Sequence, residues 1–251
     1  IARRHAGDIV KVAEIELRVA PGGPRVSAHL LPAERGFDPA CPLVAALERS
    51  FHVSIAERAS DPEQDQRYPL PGAELRVPGG GFNQVNWAVN QLLVQAVLDA
   101  VQRADALSFC DLYCGAGNFS LPLFARGIAG VGIEGSRPAI AAAKRAAKEQ
   151  SLSAARFIAG DVRVELEKLA RAQRFDVVVL DPPRSGARDV LKELIRRDPR
   201  YIAYCACDPV TLARDLRALC DAGYTLDQLT GFDMFPHTHH FETLAWLRRD
   251  S

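Results

Sequence analysis

No Cys-x-x-Cys occurs in this chain, so its six cysteines (Cys41, Cys110, Cys114, Cys205, Cys207 and Cys220) suggest neither a zinc ribbon nor a thioredoxin-like redox site. The chain is also far too long for a disulfide scaffold, which fits reduced thiols. No apolar run approaches the roughly 20 residues of a membrane span. Ile1-Ala2-Arg3-Arg4-His5 leads into no apolar segment of the kind that opens a secretory signal. The expectation is therefore a cytoplasmic protein without a membrane partner. A charge excess is missing as well: 31 Lys and Arg balance 31 Asp and Glu. A nucleic-acid partner thus cannot be argued from total charge, and any basic surface must be local. The only methionine is Met234 and no initiator stands at position 1, from which we expect a fragment that lacks an N-terminal part. Internal repeats and low-complexity tracts are absent too.

What is present is ordinary globular composition, 48% apolar and 25% charged. The 251 residues suffice for one large domain, or a domain plus a smaller one, with a substantial core. Two textures divide them. Val10 to Leu17 and Arg25 to Leu31 alternate as strands do, and Pro42 to Leu47 has a short helical pattern. Asp61 to Gly72 and Pro78 to Gly81 have loop composition, so the boundary falls near residue 80. From Asn83 the period becomes helical, with Val85, Val89, Leu92, Leu93, Ala96, Val97, Ala100 and Val101 on one face. Beyond this helix, short apolar strands (Leu107 to Tyr113, Gly130 to Glu134, Arg156 to Ala159, Phe175 to Leu180, Tyr201 to Cys205) alternate with helices such as Arg137 to Glu149 and Leu212 to Asp221. That alternation predicts an α/β fold with a mostly parallel sheet covered on both faces, preceded by a smaller α+β domain over residues 1–80.

In such sheets ligands sit at the carboxyl ends of strands. The first strand runs into Asp111-Leu-Tyr-Cys-Gly-Ala-Gly-Asn-Phe119, where Gly115 and Gly117 permit a tight turn and close approach of a ligand to backbone. Glu134 ends the next strand, where a carboxylate can take two ribose hydroxyls. Ser120 stands where a dinucleotide fingerprint has its third glycine, which favours a smaller adenosine cofactor over NAD. Asp161 ends the third strand, either to accept from an adenine amino group or to cap a helix. Asp181-Pro-Pro-Arg184 ends the fourth, the prolines stiffening the exit. Adenine N6 methyltransferases carry a base-stacking aromatic where Arg184 stands, although a guanidinium can lie on a base or pair with phosphate. The fifth strand delivers Cys205, which continues the strand pattern and reads as packing. Cys207 lies at its exit, before Pro209 and a helix start that favours a thiolate. His237-Thr-His-His240 offers imidazoles without companion ligands, so no metal is expected.

Together these segments resemble the S-adenosylmethionine-dependent RNA 5-methyluridine methyltransferases. The resemblance is carried, in order, by Phe82 to Asn86, Asp111 to Phe119, Asp181 to Arg184, Cys207 to Asp215, and Asp233 to Thr238 with Glu242, over about residues 80 to 251. It implies a Rossmann-like class I methyltransferase domain over 81–251, with Gln84, Tyr113, Asn118, Glu134, Asp161 and Asp181 lining the site for S-adenosylmethionine. It implies Cys207 as nucleophile and Glu242 as base, with residues 1–80 as an RNA-contacting region. Phe82 to Asn86 and Asp233 to Thr238 are similar to the ribosomal RNA branch more than to the transfer RNA branch. Many members add an N-terminal OB-like domain, and some hold an iron–sulfur cluster through cysteines near the N-terminus. Cys41 alone cannot hold one. Asp208 stands where the family often has Asn, and an ionised Asp beside the thiol is expected to raise its pKa, with Arg184 or the flipped base compensating.

The implied chemistry answers a weakness of uracil, whose C5 is a poor nucleophile. Thiolate attack at C6 makes C5 an enolate carbon that can take a methyl, after which a base removes the C5 proton and the cysteine leaves. Two other readings remain at this stage. An RNA cytosine C5 enzyme usually has a further cysteine in the fourth-strand motif, where this chain has Asp181-Pro-Pro-Arg184. A catalytically silent RNA-binding module would not need both Cys207 and Glu242.

Overall fold

The computed structural model describes residues 2–19, 21, 26–33, 37–55, 65–169, 173–238 and 241–250. They group into two compact units, one of residues 1–69 and 76–83, the other of 70–75 and 84–251. The smaller unit contains α1 (Ala6–Ile9), β1 (Val12–Val19), β2 (Val26–Pro32), α2 (Pro42–Glu48) and β3 (His52–Ile55). β1 pairs antiparallel with β2, and β2 pairs parallel with β3. A parallel pair needs a crossover, and α2 supplies it, packing Leu43, Val44 and Leu47 with Leu30 and Cys41 into one apolar cluster. Cys41 is thus a core residue. β4 (Gln66–Leu70) and β5 (Ala73–Val77) form a two-stranded sheet. This corrects the loop expected over Asp61 to Gly72. The Pro71-Gly72 turn signal lies between two strands, and Pro69 is tolerated because a two-stranded sheet has only edges. Residues 61–64 lie outside the described ones.

The larger unit is built on α3 (Trp87–Arg103), β6 (Ser108–Leu112), α4 (Ser120–Ala125), β7 (Ala129–Glu134), α5 (Arg137–Glu149), β8 (Phe157–Ala159), α6 (Val162–Lys168), β9 (Val177–Leu180), α7 (Arg188–Arg197), β10 (Tyr201–Ala206), α8 (Pro209–Asp221), β11 (Tyr224–Phe232) and β12 (Glu242–Arg249). Its seven-stranded sheet runs β11-β12-β10-β9-β6-β7-β8. β12 is antiparallel to both β10 and β11, and the other pairs are parallel. This is the Rossmann-like arrangement of class I methyltransferases. Central β9 reads Val-Val-Val-Leu and is buried throughout, as a strand covered on both faces must be. Side chains from β6, β7, β9, β10 and β12 share one core with α6, α7 and α8.

Helix starts follow their caps. The Asn86 side chain accepts from the Val89 N–H, Ser136 from Ala139 and Asp208 from Thr211, each satisfying a donor that a first turn leaves free. α3 therefore begins at Trp87, after Asn83. Its buried stripe also differs from the expected face: Trp87, Asn90, Leu93, Val94, Val97, Leu98 and Val101 are inside, whereas Leu92 is 63% exposed and Val85 76%. The true stripe includes the polar Asn90, which a hydrophobicity pattern passes over. Among the described residues no helix is long and apolar enough to cross a membrane.

The edge of the sheet opposite the strands' carboxyl ends is fastened by Asp176. Its Oδ2 accepts from the N–H groups of Leu107 and Ser108 and from the Ser108 hydroxyl at 2.9–3.0 Å. Burial alone would raise its pKa, but these donors and Arg200 hold it below the usual carboxylate value. Stability from a depressed carboxylate is present above the unfolded pKa and is lost as pH falls through the folded one. Asp176→Ala is expected to cost roughly 1–3 kcal/mol at pH 7 and much less near pH 2. Urea unfolding at both pH values measures this, and an equal loss at both would contradict it.

Candidate active site

Register sets this site. Leu112 of β6 lies beside Ile133 of β7 and Leu180 of β9, and Leu180 lies beside Tyr204 of β10. The four parallel strands therefore end at one level, and Tyr113, Glu134, Asp181 and the Cys205–Cys207 segment leave along one edge. Strand order reverses between β6 and β9, where such sheets open a crevice. The antiparallel β10–β12 ladder runs from Tyr201 opposite Arg248 to Ala206 opposite Thr243. β10 ends at that last pair, so Cys207 follows it at the strand exit while Glu242 opens β12 beside Phe232 of β11, and the two lie near enough for the Glu242 charge to act on the thiol.

The turn after β6 is tightly wound. Tyr113 has φ +65°, a left-handed conformation costing a non-glycine residue about 1–2 kcal/mol. Gly117 at φ +99° could not bear a side chain, since a Cβ would meet Leu121 Cγ at 2.9 Å, while a Cβ on Gly115 would meet nothing within 4 Å. The Glu134 carboxylate holds the turn, accepting from the Gly115 N–H at 3.1 Å and from the Ser136 N–H at 2.7 Å. Asn118 is fixed by reciprocal amide hydrogen bonds with buried Asn90, at 2.9 and 3.0 Å.

Behind this turn lies a set of carboxyls with little cationic compensation. Asp111 is fully buried; its Oδ2 accepts from the Ser120 hydroxyl at 2.5 Å, and its Oδ1 has no partner. Burial, opposed by that hydrogen bond and reinforced by Asp181 and Glu134, raises its pKa to about 8. Burial and the Glu134 charge raise Asp181 to about 7. Glu242 is 4% exposed with an unpartnered Oε1, and burial plus the Asp181 charge raise it to about 8. The half-buried Cys207 thiol is raised by burial, then by Glu242 and Asp181, and lowered by Arg184. Cys205 is wholly buried and its thiol is pushed well up, chiefly by burial.

A family model described as tRNA (uracil-5-)-methyltransferase matches residues 72–250. The chain belongs to this family. Three relatives are each named 23S rRNA (uracil(1939)-C(5))-methyltransferase RlmD. Identity is 37% over 203 residues with the protein of Aeromonas hydrophila (79% of this chain, 46% of the relative). It is 38% over 221 residues for Thiobacillus denitrificans (82% and 51%) and 35% over 241 residues for Edwardsiella ictaluri (94% and 55%). The chain thus spans about half the length of the curated relatives it matches. Among solved structures, the tRNA (uracil-54, C5)-methyltransferase of Pyrococcus abyssi in complex with S-adenosyl-L-homocysteine superposes with a TM-score of 0.71 at 26% identity. That match covers 93% of this chain and 59% of that one.

The family's motif residues are distributed as follows. Tyr113, Glu134 and Asp181 stand along the carboxyl edge with Cys207 and Glu242. Asn118 lies in the glycine turn beside Asn90, and Gln84 is half-buried in the segment before α3. Asp161 caps α6, its Oδ1 accepting from Val164 N–H at 2.9 Å. Asp208 behaves differently from expectation. Its carboxylate caps α8 through Thr211, and the anions that raise the Cys207 thiol are Glu242 and Asp181. Arg184 opposes them, as anticipated. Asp111 and Asn90 escaped sequence reasoning, although a charged residue inside an apolar strand and a polar one inside an apolar helix stripe are visible signals. Among the described residues no three His, Cys, Asp or Glu side chains could hold a metal ion. His239 and His240 lie outside them.

A carboxyl whose folded pKa is raised contributes stability below its unfolded pKa that is lost as pH rises through the folded one. Wild-type stability should therefore fall between about pH 5 and pH 9. Glu242→Gln keeps the shape without the charge, so it should flatten that slope and be the more stable form at pH 9. Thermal melts across this range test it, and parallel curves for the two proteins would contradict it.

Proposed function

We propose that this chain methylates C5 of a uridine in RNA, with S-adenosylmethionine as donor, Cys207 as nucleophile and Glu242 as base. The observation that carries this reading is the last pair of the antiparallel ladder, Ala206 opposite Thr243, which Cys207 and Glu242 each adjoin. A pyrimidine lying at that edge would have a thiol and a carboxyl available to it at once.

The edge suits the donor. Gly115 leaves room for close approach, Glu134 stands where ribose hydroxyls would be taken, and Tyr113, Asn118 and Gln84 complete the expected lining. Asp161 and Asp181 flank it on the neighbouring strand ends. Asp111, Asp181 and Glu242 are carboxyls raised by burial and by neighbouring carboxylates, an electrostatic setting that favours a positively charged sulfonium. When bound, S-adenosylmethionine supplies an electrophilic methyl group.

The protein's own residues manage the pyrimidine. Cys207 must lose its proton before it adds to C6. Burial, Glu242 and Asp181 oppose that ionisation, and Arg184 assists it. Addition moves the electron pair of the C5–C6 double bond to C5 and the C4 carbonyl, which makes C5 the nucleophilic carbon. Once C5 is substituted, Glu242 accepts its proton, the double bond re-forms and the sulfur–C6 bond breaks. In this reading residues 81–251 carry the transfer, residues 1–80 contact RNA, and the enzyme works in the cytoplasm. The names of the relatives favour 23S ribosomal RNA over transfer RNA as substrate.

The test is radiolabelled methyl transfer to total RNA lacking the modification, followed by mapping. Label should enter C5 of a uridine in 23S RNA. Cys207→Ala should abolish transfer, a loss of more than about a thousandfold for a covalent nucleophile, whereas Cys205→Ala should retain most of it with some loss of stability. The reverse pattern would reassign the nucleophile. Stoichiometric RNA binding without transfer would favour a silent binding module.

A further inference from the structure

One buried carboxyl, eight residues past Cys207, has no part in the reaction above. Asp215 of α8 is 1% exposed, and three hydrogen-bond donors converge on it. Its Oδ2 accepts from the Tyr204 hydroxyl at 2.7 Å and the Ala187 N–H at 2.8 Å. Its Oδ1 accepts from Arg214 Nε at 2.8 Å and lies in an ion pair 2.8 Å from Arg214 Nη2. The Ala187 N–H also reaches the Tyr204 oxygen at 3.0 Å. Arg214 Nη2 goes on to donate to the Ser185 carbonyl at 2.9 Å, and the Thr211 hydroxyl donates to the Arg184 carbonyl at 3.1 Å. Gly186, at φ +80°, lies so close that a Cβ would come within 2.5 Å of both Arg214 Nη2 and Asp215 Oδ2.

Four consecutive loop residues are therefore held from α8: Arg184 and Ser185 by their carbonyls, Gly186 by contact, Ala187 by its N–H. Arg184 and Ser185 are exposed, and so many fastenings exceed what a surface connection needs. We propose that Asp215 is a positioning residue: it locks the Arg184–Ala187 loop onto α8, the helix that begins two residues past Cys207, and so fixes where Arg184 stands relative to that thiol. The charged groups acting on Cys207 are Glu242 from β12, and Asp181 and Arg184 from the loop after β9; Asp208 at the start of α8 is engaged as a cap. Arg184 is the cation among them, so its placement decides how far the anions prevail. The inference rests on Cys207 being the nucleophile, but its test reads the thiol alone and needs neither RNA nor donor.

The experiment follows alkylation of the full chain by iodoacetamide against pH, with mass spectrometry resolving the Cys207 peptide from that of exposed Cys220. Arg184→Gln should move the Cys207 midpoint up by about half a pH unit or more. Asp215→Asn should do the same, because an amide cannot accept on both of its sides and loses the ion pair with Arg214. The double variant should go no further than Arg184→Gln alone. Gly186→Ala should reproduce the shift by crowding the loop off α8, with Cys220 unchanged and Cys205 still protected in every variant. A folded Asp215→Asn with a wild-type Cys207 midpoint, or a double variant whose shifts add, would overturn the proposal. Should Asp215→Asn fail to fold, Thr211→Val removes the hydroxyl that donates to the Arg184 carbonyl and to the Asp208 carbonyl, and leaves the Asp208 cap on the Thr211 N–H in place; it should give a smaller shift in the same direction, and no shift there would equally overturn it.

Discussion

The antiparallel pairing of β10 with β12 is the constraint on which the rest of the site depends. Its last step, Ala206 opposite Thr243, leaves Cys207 and Glu242, far apart in sequence, each one residue beyond it. Backbone hydrogen bonds fix that step more firmly than side-chain packing could, because a one-residue slip would turn every side chain of β12 to the other face. The apolar run Leu244 to Leu247 is buried along its length, so such a slip would also disturb the core. The parallel strands add the second half of the arrangement by ending level with one another, which gathers Glu134 and Asp181 to the same edge.

That edge is electrostatically unbalanced, and the imbalance has a direction. Burial raises Asp111, Asp181 and Glu242 first, the Asp181 charge adds to Asp111 and Glu242, and the Glu134 charge adds to Asp111 and Asp181. Neutral forms are favoured, so the free protein holds protons that an arriving cation would displace. The thiol is caught in the same field, with Arg184 the counterweight. Reactivity at Cys207 is then set by the position of one guanidinium, and hence by the loop that carries it, more than by the neighbouring Asp208.

Much of this was legible in the sequence, and the exceptions share a cause. Strand ends announced themselves because Glu134, Asp181 and Cys207 each interrupt a short apolar run. Periodicity misplaced the buried stripe of α3 because Asn90 packs inside as an amide pair with Asn118, a contact 28 residues distant that no local pattern carries. It missed β4 because Pro69 and Pro71 look like loop composition when the partner strand is not in view. Asp215 stood within a quoted motif, yet its role depends on Tyr204 and Ala187, which only the fold brings to it. Residues that act at strand ends were readable one at a time, whereas residues that act through others required the fold.

The central claim is that Cys207 and Glu242 act on opposite phases of one covalent cycle. It is tested most directly by incubating Glu242→Gln with unmodified 23S RNA and S-adenosylmethionine, then weighing the products by denaturing mass spectrometry. With the base removed, the C5 proton cannot leave and the sulfur–C6 bond cannot break. A stable protein–RNA adduct should accumulate that carries one added methyl, is linked through Cys207, and is absent from Cys207→Ala. Normal turnover by Glu242→Gln with no adduct would contradict it.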